Sequence, residues 1–262
     1  MKLSGIVTLL TDFGEHDPYV GVVKGVILGI HPAARLVDLT HQVAPQRVLE
    51  ANFQLRGAWE FFPPGTIHVC VVDPGVGSTR RILCAQTRGH VFLAPDNGLL
   101  TGVLGKDDEV RAVTNTKWFR GGELSHTFHG RDIFAPVAAR LLEGLEFADV
   151  GPRVTDPKAL ELPQPARGAS GVVRGEVIHI DSFGNLITNL RPEDVAHLAE
   201  ERRVVRLGSR VIGKPVDSYA AAARGNALAI FDSFGYLEIA VNCGNAERTL
   251  VTGLGAGVVV GE

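Results

Sequence analysis

"TIHVCVVDPGVGSTRR", residues 66–81, is the stretch that decides the fold. Its first half is apolar without alternation, the pattern of a strand covered on both faces in a parallel sheet. Its second half sets Asp73 and Arg80 around Pro74-Gly75-Val76-Gly77. A loop that only joins two strands needs no carboxylate–guanidinium pair, so the stretch predicts both a parallel strand and a functional loop at its end.

Upstream, "GIVTLL" (5–10) is a short apolar strand. "DPYVGVVKGVILGIHP" (17–32) reads as a helix with Asp17 as N-cap and Pro18 at the first helical position. "RLVDLT" (35–40) is a second strand, and "PQRVLEANFQLRGAWEFF" (45–62) a second helix stopped by Pro63-Pro64-Gly65. Strand and helix thus alternate into residues 66–73, the signature of a parallel sheet with flanking helices. Downstream, "RRILCAQT" (80–87) and "HVFLAP" (90–95) form a hairpin about Arg88-Gly89, and "DNGLLTGVLG" (96–105) reads as a short helix. "DIFAPVAARLLEGL" (132–145) is amphipathic, with Pro136 marking a kink or a delayed start.

The texture then changes. "DPKALELPQPARGASG" (156–171) has three prolines, two glycines and no periodicity. Short strand-like runs follow, among them "NALAIFD", "GYLEIAVN", "TLVTG" and "GVVVGE", and only "RPEDVAHLAEE" looks helical. The predicted fold class is α/β: an N-terminal α/β domain with a largely parallel central sheet (1–160), a linker (161–171) and a smaller C-terminal all-β, barrel-like domain (172–262).

Composition narrows the function. An apolar fraction of 45% with 21% charged residues reads as a soluble globular chain, and a net charge of −3 without a Lys/Arg run gives no footprint for nucleic acid. No apolar stretch is long enough to span a bilayer. "MKLSGIVTLLTDFG" reads as a first strand, not a signal peptide. Cys70, Cys84 and Cys243 form no CxxC, which argues against zinc and redox sites; Cys70 and Cys84, in apolar strand-like runs, read as inert buried thiols in a reducing cytoplasm.

Ligands of parallel sheets bind beyond the carboxyl ends of the strands. Asp12, Asp38 and Asp73 are expected at that edge, Asp38 with nothing nearby to make it specific. "TFHGRD" (127–132) adds His129 as a general base or a water orienter. Asp12, Glu15, His16 and Asp17 with Asp73 and His129 could ligate a metal, but they lack a standard ligand spacing. "DPGVG" lacks the remainder of a phosphate loop. "DSFGN" (181–185) and "DSFGY" (232–236) echo one another as Asp/Ser/Gly turns that keep an apolar Phe.

Together "TLLTDFG…DPYVGVVKGVI", "VVDPGVGSTRR", "APDNGLL", "FHGRDIFAPVAA", "IDSFGNLITN" and "DSFGYLEIAVN" resemble the S-adenosylmethionine (SAM) hydroxide adenosyltransferases, adenosine-forming SAM hydrolases related to fluorinase and chlorinase. The resemblance runs from residue 5 to about 260. It implies a trimer whose site lies between the N-domain of one subunit and the C-domain of its neighbour. It further implies attack of water or hydroxide on C5′ of SAM, positioned by an Asp–Arg–His triad that falls on Asp73, Arg80 and His129. The implied binding set is Asp12 for the ribose hydroxyls, flanked by Phe13, then Asp181 for the methionine ammonium and Asn185 for adenine. Phe183 is their apolar neighbour, Ser233 contacts the methionine carboxylate, and Tyr236 completes the set. SAM is then the substrate, with no cofactor and no metal.

Halogenating relatives carry a Tyr and a small polar residue in the first loop, where this chain has Asp73 and Val76. The fluorinating ones also carry an insertion where only Arg88-Gly89 separates two strands here. Both departures disfavour a SAM-dependent halogenase; a non-catalytic SAM- or adenosine-binding protein is the other alternative. Hydrolysis is chemically reasonable, because the sulfonium is already a leaving group. A guanidinium locked by a carboxylate can stabilise a hydroxide-like oxygen while an imidazole takes or orients the proton. Whether Arg80 or Arg81 faces the site is open, since a strand turns its side chains over at each step.

Overall fold

The computed structural model describes residues 1–168 and 171–261; Ala169 and Ser170 of the expected linker, and Glu262, lie outside the described residues. The chain divides into two compact units, Met1–Leu160 and Glu161–Glu262.

The first unit is built on β1 (Ile6–Thr11), α1 (Tyr19–Ile30), β2 (Arg35–Thr40), α2 (Val48–Ala58), β3 (Ile67–Val71), β4 (Ile82–Thr87), β5 (His90–Pro95), β6 (Glu109–Ala112) and α3 (Ala135–Leu142). The sheet order is β2-β1-β3-β5-β4-β6. The pairings β1–β2, β1–β3 and β3–β5 are parallel, and β4 is antiparallel to both β5 and β6. Alternate residues of β3 enter two cores. Ile67, Val69 and Val71 pack with Val23 and Ile27 of α1 and Val137 of α3, while Cys70 packs with Ala51 and Leu55 of α2. Helices on both faces explain why β3 is apolar without alternation. The one polar residue within it, His68, is satisfied by Thr8 Oγ1 (2.7 Å) and His90 Nδ1 (3.1 Å). Cys70 and Cys84 are free and buried, which pushes both thiols up and leaves them unreactive.

Several local expectations are corrected. Helix α1 starts at Tyr19 with Pro18 as its N-cap and no side-chain cap, so Asp17 caps nothing. Residues 96–105 form consecutive turns instead of a helix, because Gly98 (φ 91°) and Gly102 (φ 75°) take left-handed backbone that ends helical propagation. A single π-turn, Gly130–Phe134, precedes α3. It brings Pro136 into the first turn of α3, where a missing N–H costs nothing. The β4–β5 hairpin closes through Arg88 (φ 46°) and Gly89 (φ 82°), both left-handed as a two-residue turn of this hand requires.

The second unit holds β7 (Ala166–Arg167), β8 (Val173–Ile180), β9 (Leu186–Thr188), α4 (Pro192–Val195), β10 (Val205–Leu207), β11 (Arg210–Gly213), β12 (Pro215–Val216), β13 (Ala227–Phe231), β14 (Leu237–Val241), α5 (Ala246–Leu250) and β15 (Gly257–Val260). Its path β11-β10-β15-β8-β9-β14-β13-β12, with β7 on β8, makes a nearly closed, barrel-shaped sheet. "RPEDVAHLAEE" holds only the short α4 and a 3-10 turn, Glu200–Arg202. "TLVTG" is no strand: Thr249 and Leu250 end α5, whose N-cap Asn245 accepts from Arg248 N at 2.8 Å.

Candidate active site

β1 and β3 run side by side with Thr11 opposite Val71, so Asp12 and Asp73 leave neighbouring strands at one sheet edge. From Asp73 the chain doubles back through two tight turns, Val76 N to Asp73 O (3.1 Å) and Ser78 N to Gly75 O (3.1 Å). Ser78 Oγ fixes the second turn by donating to Gly75 O (2.7 Å) and accepting from Arg80 N (3.2 Å). Gly77 (φ 78°) is required here, since a Cβ would stand 2.3 Å from the carbonyl oxygen of His126.

The doubled loop delivers Arg80 onto Asp73. Nε lies 2.9 Å from each carboxylate oxygen and Nη2 also donates to Oδ2. The same Nη2 lies 2.8 Å from His129 Nδ1. Both members of the ion pair are nearly enclosed, the side chains 8% and 5% exposed, so water screens the pair little. Arg80 Nη1 has no partner among the described residues. The next residue points elsewhere: Arg81 binds Asp96 (Nε–Oδ2 2.7 Å) and Asp156 (Nη1–Oδ1 2.7 Å). That settles the orientation left open by the sequence: Arg80, not Arg81, meets Asp73.

His129 sits at the start of the π-turn. Burial first, and the Arg80 charge second, hold its imidazolium below the ordinary value of 6.5, with Asp73 opposing. Since Arg80 donates to Nδ1, the neutral ring carries its proton on Nε2. The adjacent Phe128 packs edge-on against Phe13 (5.9 Å between centroids) and Tyr19 (5.2 Å). Phe13 thereby clasps the first loop to the segment bearing His129. Gly130 leaves room for this, a Cβ there lying 3.3 Å from both Phe rings.

Asp12 Oδ2 accepts from Gln46 N (2.8 Å), and its Oδ1 has no protein partner among the described residues. Behind it runs a polar chain that links Thr11, His41, Asp38 and Lys24. Thr11 Oγ1 meets His41 Nδ1 at 2.8 Å, and His41 Nε2 stands 3.0 Å from Asp38 Oδ1, off the line of a hydrogen bond. Lys24 Nζ lies 2.5 Å from Asp38 Oδ2. Burial tends to raise the Asp38 carboxyl, but Lys24 and His41 outweigh it and hold it low. Asp38 is therefore a brace for the Asp12 loop.

Two further braces escaped the motif reading. Asn97 Nδ2 donates to Val72 O (2.9 Å), next to Asp73. Asp132, almost wholly buried, accepts from Ser125 N (2.8 Å) and pairs with Arg131 (2.6 Å), tying down the segment that carries His129. A carboxylate opening the apolar run 132–145 was the only sign of it in the sequence. Among the described residues, no group of three or more His, Cys, Asp or Glu side chains could hold a metal ion; Glu15, His16 and Asp17 are exposed and make no such cluster with Asp73.

In the second unit the echoed segments are two copies of one turn. Asp181 Oδ1 accepts from Phe183 N (2.9 Å) and Asn185 N (2.8 Å), and Asp232 Oδ1 from Phe234 N and Tyr236 N (both 2.8 Å). Asn185 Nδ2 also donates to Asp181 Oδ2 (3.0 Å). Gly184 is packed so closely on Asn245 that a Cβ would lie 1.9 Å from Nδ2, so α5 buttresses the first turn. Phe183 is 74% exposed. Ser233 is exposed in the second turn, and Tyr236 is buried beneath the Arg191 guanidinium, 4.0 Å from the ring centre.

Comparison with known proteins gives a consistent set of relatives. A family model for the SAM hydroxide adenosyltransferase N-terminal domain matches residues 7–151, and one for the C-terminal domain of the same family matches 175–259. The chain is 36% identical over 248 residues to the (R)-S-adenosyl-L-methionine hydrolase of Salinispora tropica, covering 93% of both chains. It is 37% identical over 255 residues to the enzyme of that name from Thermus thermophilus, covering 93% of this chain and 94% of the other. A fluorinase of an Actinoplanes species is 28% identical over 271 residues, covering 90% and 91%. The crystal structure of an uncharacterized conserved protein from Thermotoga maritima superposes with a TM-score of 0.89 at 37% identity, covering 98% of this chain and all of that one.

Proposed function

The chain belongs to the SAM hydroxide adenosyltransferase family, and from that premise we propose that it hydrolyses S-adenosyl-L-methionine to adenosine and L-methionine, water attacking C5′ in line with the departing sulfur. The observation that carries the reading is the Arg80 fork, which grips Asp73 while its Nη2 reaches His129.

Bulk water, with a pKa of about 15.7, is a poor nucleophile, and the site must favour its hydroxide-like form. Asp73 fixes the direction of the guanidinium. Arg80 Nη1 is left to donate to the attacking oxygen and offset its developing charge. With Nδ1 occupied, His129 offers Nε2–H, a donor that orients the oxygen by a lone pair. Its lowered proton affinity keeps the ring neutral at physiological pH, so it adds no second positive charge beside Arg80. The water proton leaves to solvent as the C–O bond forms. Holding oxygen and carbon in line accounts for much of the acceleration.

The resemblance assigns Asp12 to the ribose hydroxyls, Asp181 to the ammonium, Asn185 to the adenine with Phe183 as apolar neighbour, and Ser233 to the amino-acid carboxylate, with Phe13 and Tyr236 completing the binding set. The assembly in this reading is a homotrimer whose subunits share each site, working without metal in the cytoplasm. The test is turnover of SAM in ¹⁸O-labelled water: adenosine carrying the label at O5′ supports attack on C5′. Unlabelled adenosine, loss of activity on chelation with recovery by a divalent cation, or a 5′-halonucleoside formed with chloride or fluoride present would each overturn part of the scheme.

A further inference from the structure

The mechanism above leaves one buried ionisable group unused. Glu238 lies in β14 opposite Ile230 of β13 and Ile187 of β9. It is 3% exposed, and its Oε1 has no hydrogen-bond partner among the described residues. Its neighbours along this face are apolar: Leu228, Ile230 and Ala240 form a small core with Val216 and Ala222 packed against it. An unpartnered carboxylate oxygen in such a place is costly, and a site that tolerates it is built for something that supplies the missing donor.

The register says where that donor would come from. The Asp181 turn leads into β9 and the Asp232 turn into β14, and these strands pair antiparallel with Glu238 opposite Ile187. The two turns therefore flank the short ladder from its opposite ends, and Glu238 stands between them. The charges acting on Glu238 from around it are those of Asp181 and Asp232, both negative, with Tyr219 hydrogen-bonded to it from the covering turn Tyr219–Ala221. Burial first, then these two carboxylates, push Glu238 up to about 7, so at neutral pH it is poised between its two forms. Among the charges acting on Glu238 there is no cation. The spread of the three carboxylates is too wide for a metal ion, since no group of three or more such side chains among the described residues could hold one. An ammonium, which reaches acceptors through three separate N–H bonds, suits them. Asp181 spends three of its acceptor positions on its own turn, and Glu238 Oε1, which accepts from nothing among the described residues, is the buried acceptor that an ammonium would complete.

We infer that Glu238 is a specificity-determining residue for the amino-acid end of the substrate, its negative charge behind the two echoed turns selecting a sulfonium nucleoside that carries a primary ammonium. The inference rests on the SAM hydrolase reading. Its experiment compares SAM with the des-amino analogue, in which hydrogen replaces the ammonium, as substrates of the parent protein, Glu238→Gln and Glu238→Asp. One charged hydrogen bond corresponds to about a tenfold preference, so Glu238→Gln should lower the parent's preference for SAM, read as a ratio of kcat/KM, by about that factor. Glu238→Asp should keep most of it. A merely structural role would slow both substrates alike, so a Gln variant retaining the parent's ratio, at whatever absolute rate, overturns the inference. Should the parent not turn over SAM, the hydrolase reading fails separately. The ratio of L-methionine to 4-(methylthio)butyrate affinity, measured by calorimetry on parent and Glu238→Gln, then decides the role of Glu238: a lowered ratio sustains it and an unchanged ratio removes it.

Discussion

The loop at Asp73 and the paired turns at Asp181 and Asp232 are both built from an aspartate and glycines, yet their carboxylates are used oppositely. Asp73 is held by a side chain seven positions on, and its loop is shaped so that Arg80 reaches it and His129 together. Asp181 and Asp232 are held by backbone N–H groups two and four residues on, within their own turns. The first arrangement fixes an ion pair and leaves a guanidinium nitrogen to act. The second fixes its own turns, leaving Phe183 and Phe234 exposed and one oxygen of a third carboxylate, Glu238 Oε1, without a hydrogen-bond partner among the described residues. The first region is preorganised by itself, which suits chemistry. The second is a frame still waiting for what it frames, which suits binding.

The sharpest way to break this contrast is Asp73→Ala. Without its partner Arg80 is free to swing, and turnover should fall on the order of a thousandfold, the scale on which an aimed transition-state donor is lost. SAM affinity by calorimetry should persist. A variant that hydrolyses SAM at the parent's rate removes Asp73 from the chemistry. Gly77→Ala comes next. A Cβ 2.3 Å from His126 O at a φ of 78° must displace either the doubled loop or the segment bearing His129. A misplacement of that size costs about a hundredfold in kcat. Gly75→Ala is the control, its Cβ meeting nothing nearer than Arg80 Cγ at 3.4 Å. Equal rates for the two variants would show that the approach of loop and segment does not matter.

The first region was largely legible in the sequence, whereas of the second only the echoed turns were, and the reason is physical. Parallel strands buried on both faces announce themselves as apolar runs. The Asp73–Arg80 pair stood out because a mere connection has no use for it. The braces were silent. His41 and Asn97 act across elements far apart in the chain, joined only by folding. The turns at 96–105 looked helical because their leucines fall at helical spacing, and two left-handed glycines overrode the pattern. In "GYLEIAVN" the strand alternation is correct, and alternation assigns Glu238 to solvent. The segment holding β12 and Tyr219 then covers that face and buries it. Helix α5 has five residues, too few for periodicity to register.

A smaller effect separates the two echoed turns from each other. Asp181→Ala and Asp232→Ala each strip two backbone N–H groups of their acceptor and should cost about 1–2 kcal/mol in stability by denaturant titration. Of these two, only Asp181→Ala should also weaken L-methionine binding, because Asp232 is not assigned to the ammonium. Equal losses of affinity would make the turns equivalent frames.

The smallest expected effect lies on the pH axis, where the two regions should part. Burial and Arg80 lower the proton affinity of His129 from 6.5, so the folded protein keeps the ring neutral below the pH at which an unfolded chain would take a proton. The acid limb of kcat should therefore fall below pH 6.5. Over the same window stability should decline as pH drops, because the unfolded state binds the proton first, and His129→Ala should flatten that part of the slope. Glu238 shifts the other way, up to about 7, and it attracts an ammonium only when ionised. Between pH 6.5 and 8 kcat should then vary less than KM, which falls as pH rises, and Glu238→Gln should lose that fall in KM while keeping the parent's kcat profile. The groups facing Glu238 are Tyr219, Asp181 and Asp232, and Tyr219, pushed up to about 12, contributes no titration there. If kcat and KM instead turn over together at one pH, a single ionisation governs both regions. The separation of a preorganised chemical half from a waiting binding half is then wrong.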